Sequence, residues 1–138
     1  MKNIIRRLLA LALLLPGFAQ CANWERVAQG GDTTVNVDIE SIVKLKNGKR
    51  KAWAEYLMTT PATSNEGKVY SRVVNMYIID CSDRTSATER ELLYDSVFEG
   101  KVVQDIAIPR AKLEFAEVVP ESFGENVLNF VCKASLKK

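Results

Sequence analysis

Histidine is absent from the 138 residues. Its absence removes Ser-His-Asp and Cys-His nucleophile arrangements and the commonest metal ligand. Cysteine is scarce, at Cys21, Cys81 and Cys132. Thiols spaced so widely do not make a zinc site, which needs four ligands, or three with an open position. There is no glycine-rich phosphate loop, since Gly30-Gly31 stands alone. No cofactor is implied. An excess of either charge is also missing. The formal charge of +2 comes from Lys2, Arg6 and Arg7, and without residues 1–22 the chain holds 16 basic and 17 acidic side chains. A nucleic-acid protein carries a strong basic excess, so that class is set aside.

Long apolar runs are missing except at the N-terminus. There Lys2, Arg6 and Arg7 precede Leu8 to Leu15, and Pro16-Gly17 is followed by the small residues Ala19 and Ala22. A positive flank, a short apolar run and small residues form a secretory signal, expected over residues 1–22. The run is shorter than the ~20 residues of a transmembrane helix. Cleavage after Ala19, Cys21 or Ala22 fits the pattern. Lipidation at Cys21 is the alternative, disfavoured by Phe18 and Gln20 before it. Residues 23–138 then form one exported domain, in the periplasm or at the outer-membrane surface. In an oxidising compartment Cys81 and Cys132 are expected to form a disulfide.

Strand signals dominate the exported part. Trp24 to Val27 and Thr34 to Ile39 alternate apolar with polar residues, and Asp38 to Ile42 reads as a short turn. Asn47-Gly48 marks a hairpin. Arg50 to Thr59 has two largely apolar faces and reads as central, before a polar loop over 60–68. Tyr70 to Cys81 places Val73, Tyr77, Ile79 and Cys81 on one face. Thr85 to Tyr94 is read as a strand, and Val102 to Ile106 as an edge strand. Ser122-x-x-Glu125 is a capping box, with Ser122 accepting from the Glu125 amide and the Glu125 side chain reaching the Ser122 amide. A helix runs from there to about Ala134, with Gly124, Val127, Leu128, Val131 and Cys132 in one stripe. Gly124 is read as allowing close approach to the sheet. The expected class is α+β: a single antiparallel sheet, one C-terminal helix on the face that carries Cys81, and a disulfide tying them.

Chemistry is sparse. Asp38 with Glu40, and Asp80 with Asp83, are paired carboxylates by proximity, which turn residues also explain. Lys44, Lys46, Lys49, Arg50 and Lys51 crowd one hairpin. They suit an acidic partner, either a heparin-like glycan or an acidic protein segment; a solvated tip that discourages edge pairing is the simpler explanation and carries more weight. Tyr56 and Tyr70 flank the 60–68 loop and are candidates for surface contact, whereas Trp53 and Tyr77 sit mid-strand and are assigned to the core.

Several short stretches occur in a familiar order. They are Asn23-Trp24, Val37 to Ile42, Ala52-Trp53, Asp80-Cys81-Ser82 with Arg84, and Pro120-Glu121-Ser122 leading to Val131-Cys132. In these the chain resembles the surface-adhesin E family of Gram-negative bacteria. The resemblance implies a six-stranded antiparallel sheet with a disulfide-tied C-terminal helix; the missing catalytic groups noted above argue against an enzyme. It also implies outer-surface display, a homodimer, and binding of host matrix or serum proteins such as laminin, vitronectin and plasminogen. A periplasmic envelope protein with no host ligand is the competing reading.

Overall fold

The computed structural model describes residues 21–136; the secretory signal expected over residues 1–22, apart from Cys21 and Ala22, lies outside them. Eight strands precede one helix: β1 (Trp24–Gly30), β2 (Thr33–Asp38), β3 (Val43–Lys44), β4 (Arg50–Thr63), β5 (Val69–Asp80), β6 (Thr85–Tyr94), β7 (Val102–Ala107), β8 (Ala116–Glu117) and α1 (Phe123–Lys133). The sheet is antiparallel and open, in the order β1-β2-β4-β5-β6-β7. The six expected strands form this path. The count rises to eight because two-residue β3 and β8 pair β4 and β6 beside it.

The local signals explain most elements. Gly48 turns the β3–β4 hairpin at φ 82°, closed by Leu45 N–H donating to the Lys49 carbonyl at 2.7 Å. Positive φ is what glycine supplies without a Cβ clash. The 60–68 loop is shorter than expected, since β4 continues to Thr63 and the turn starts at Ser64. Pro61 is tolerated because β4–β5 pairing lapses between Leu57 and Ala62, so its missing N–H breaks no ladder bond there.

Helix α1 starts at Ser122, whose hydroxyl accepts from the Glu125 amide at 3.2 Å. The return bond differs from the expected one. The Glu125 carboxylate takes the Glu121 amide, at 2.7 Å, instead of that of Ser122. Gly124 also plays no part in close approach: a Cβ there would meet Ser122 and Val118 at ordinary contact distances of 3.5 and 3.7 Å.

The core lies between α1 and one sheet face. Val35, Val37, Ala52, Ala54 and Ile79 meet Val127, Leu128 and Val131 there. Tyr77 and Cys81 pack against this cluster, so the helix lies on the face that period-two spacing selected. Cys81 and Cys132 are disulfide-bonded, with their Cα atoms 5.7 Å apart. Arg84, in the β5–β6 turn, adds a second tie: it pairs with Glu125 at 3.0 Å and donates to the Asn129 side chain at 3.1 Å.

The opposite face carries Trp53, which is half-buried outside the core cluster. It also carries a buried charge. Glu55, 5% exposed, receives Arg72 at 2.8 Å and the Asn36 amide at 2.8 Å. The Arg72 guanidinium lies 4.8 Å from the Tyr94 ring centroid and 6.0 Å from that of Trp24.

Candidate functional site

The basic hairpin folds into two sets of side chains with different roles. Arg50 is turned to the helix. Its guanidinium donates to the Val131 and Ala134 carbonyls at 2.6 and 2.8 Å. These carbonyls belong to the last turn, where the helix runs out of its own donors and its dipole is negative. Arg50 is therefore a helix cap. Arg50→Ala is expected to lower unfolding free energy by about 2 kcal/mol, since hydrogen bonds to charged groups exceed neutral ones. Urea unfolding checks this, with Arg50→Lys recovering part of the loss.

Lys49 is also engaged, pairing with Asp80 at 2.9 Å and lying 5.3 Å from the Phe115 ring centroid. The Lys49 ammonium, and after it the Asp83 backbone N–H, hold the Asp80 carboxyl below its usual range. Asp80 also accepts from the Ser82 amide, and Asp38 accepts from the Asn23 and Glu40 amides. Both carboxylates thus organise turns. Lys51 is half-buried, whereas Lys44 and Lys46 are exposed. Neither of these two ammonium groups has an ion-pair or hydrogen-bond partner among the described residues.

Lys44, Lys46 and Lys49 edge a cleft of about 660 Å³. Arg110 closes its far side, held by two bonds to Glu89 at 3.1 and 3.0 Å. The floor is apolar: Leu45, Ile78, Leu113 and Phe115. Ile78 is anchored in the sheet at 2% exposure, and Phe115 is 38% exposed. Sequence reasoning missed the floor and Arg110. Apart from Leu45, which belongs to the hairpin, they come from β5 and the 110–115 segment, brought to the hairpin only by the fold.

Tyr56 and Tyr70 do not join this cleft. Tyr56 packs against the helix-side core, and its hydroxyl meets that of Tyr77 at 2.8 Å. The Asn75 amide donates to the Tyr77 hydroxyl at 3.0 Å. Burial first, then the neighbouring Tyr77, pushes Tyr56 far above the usual phenol range, so it stays a neutral packing group. Tyr56 stands at period-two spacing from Ala52 and Ala54, the signal that places it inward. Tyr70 is half-exposed opposite Ala62 near the β4–β5 turn. Cys21 is unpaired and exposed. Among the described residues no group of histidine, cysteine or carboxylate side chains is placed to hold a metal ion, and no helix is long and apolar enough to cross a membrane.

An open antiparallel sheet backed by one disulfide-tied helix, with a basic cleft on the other face, defines a small scaffold class. Within it, the chain belongs to the surface-adhesin protein E family, whose family model matches residues 24–133. The fold agrees with that of Haemophilus influenzae protein E. Crystal form II of that protein aligns at 17% identity with a TM-score of 0.57, covering 79% of this chain and 86% of that one. Protein E from non-typeable Haemophilus influenzae aligns at 17% identity and a TM-score of 0.55, covering 86% of this chain and 81% of that one. A comparison with curated proteins found no match.

Proposed function

We propose that this protein is an exported adhesin that contacts host extracellular-matrix or serum proteins, with the β3–β4 hairpin as its contact element. Export removes residues 1–22 in this reading, and the domain works outside the inner membrane. Membership of the surface-adhesin protein E family supports it. The observation that carries the site is the pair Lys44 and Lys46: exposed, without internal partners, and at the rim of a cleft. Charges neutralised within the fold add little field outside it, whereas two free ammonium groups steer an acidic partner. A homodimer belongs to the same reading, with β1 and β7 ending the sheet as its terminal strands.

Solid-phase binding to laminin, vitronectin and plasminogen tests this. Binding to at least one is expected, weakening as salt rises because exposed charges are screened beyond about 10 Å at 0.1 M. Lys44→Glu/Lys46→Glu should weaken it at least about tenfold, chiefly through the association rate. Absence of binding to all three, or indifference to the charge reversal, refutes the assignment. Complete protection of the protein from protease added to intact cells refutes surface display.

A further inference from the structure

We propose that the basic cleft takes an acidic peptide segment of its partner protein, one in which a bulky apolar side chain is flanked by carboxylates. This rests on the hairpin being the contact element and names what that element recognises.

Charge and shape support it together. Lys44 and Lys46 leave two positive charges uncompensated at the rim, while Lys49 and Arg110 are neutralised by Asp80 and Glu89. The occupant must therefore be an anion, and a modestly charged one. A densely sulfated glycan would need an open row of cations, and half of the cleft's cations are already paired. The floor asks for something more. Phe115 and its apolar neighbours line a concavity of about 660 Å³, the size of a ligand pocket. An apolar side chain seated there removes exposed ring surface from water, which a polar chain does not do. The Phe115 ring is also held in place, since the Lys49 ammonium sits over it at 5.3 Å. Carboxylates on either side of a seated side chain then fall near Lys44 and Lys46. In an extended peptide the residues two positions to either side share the seated side chain's face, so acids at those positions point toward the cleft rim.

Titration of the mature, disulfide-bonded chain with short synthetic peptides tests the idea, followed by amide chemical shifts. The probe is acetyl-Asp-Glu-Phe-Asp-Glu-amide. It should bind, and shifts should centre on Leu45, Leu113 and Phe115. The same peptide with glycine in place of phenylalanine should bind about tenfold more weakly, as expected for losing an apolar group from its pocket. The peptide with lysines for the acids should not bind. Phe115→Ser and Leu113→Ser should each weaken the probe, with unchanged far-ultraviolet circular dichroism confirming the fold, and Lys44→Glu/Lys46→Glu should abolish binding.

Equal affinity for the phenylalanine and glycine peptides overturns the proposal. So does binding of a heparin oligosaccharide that Phe115→Ser leaves intact while the peptide fails to bind, or shifts confined to another surface. Binding of a matrix protein without peptide binding overturns this inference alone. Peptide binding with no host-protein binding overturns only the adhesin assignment.

Discussion

Replacing Cys81 and Cys132 together by alanine is expected to lower the unfolding free energy by about 4 kcal/mol. The bond closes a loop of 51 positions, and the unfolded chain gains the freedom that the bond withheld. For a domain whose whole stability lies at about 5–15 kcal/mol, that is a major fraction. The melting temperature should fall on the order of 15 °C. The folded state should survive at room temperature. The helix keeps Val127, Leu128 and Val131 in the core, Arg50 at its C-terminal end, and Arg84 on Glu125 and Asn129. Chemical unfolding with and without reductant checks the origin of the effect. Reductant should bring the wild type to the level of the variant and leave the variant unmoved. A loss under about 1 kcal/mol would mean that the unfolded chain is already held compact near these residues.

The disulfide was legible from the export signal and the two remaining cysteines, and two signals with different periods then placed its ends. Period two placed Cys81 beside Tyr77 and Ile79, and helical spacing placed Cys132 beside Val131 and Leu128. Each cysteine shared a face with apolar residues, so the expected bond indicated which sheet face receives the helix. Strand ends were less legible. The lapse in pairing that lets Pro61 sit inside β4, and the bulge that leaves Glu89 out of the β5–β6 pairing, depend on the neighbouring strand and leave no local mark. The basic hairpin shows the limit most clearly. Five cations within eight positions look alike in sequence. Arg50 is spent on a helix end 81 residues away and Lys49 on Asp80, because the fold brings an unsatisfied carbonyl to one and a carboxylate to the other. Only what remains unpartnered can face an external ligand, and sequence spacing does not count partners.

The second large effect is expected at Arg72, where no binding role is proposed. Arg72→Ala should destabilise the protein by about 3–5 kcal/mol, the cost of leaving a buried charge unpaired. The Glu55 side chain is 6% exposed and that of Arg72 is 21% exposed, so water cannot readily replace the guanidinium. With arginine gone, the Asn36 amide is left as the carboxylate's hydrogen-bond donor. The stack on Tyr94 and Trp24 is lost as well, and with it the packing of two aromatic rings on the sheet face that carries no helix. The pair is not thereby a large net contributor. Removing both charges in Arg72→Met/Glu55→Leu should recover most of the loss, since apolar replacements of a buried pair are often neutral or stabilising. A double-mutant cycle in urea separates these cases. Strong coupling, with the double variant near the wild type, marks the pair as fixing the order of β2, β4 and β5 at little net gain. A single-variant loss below about 1 kcal/mol would instead mean that solvent reaches Glu55 and that this sheet face is open there.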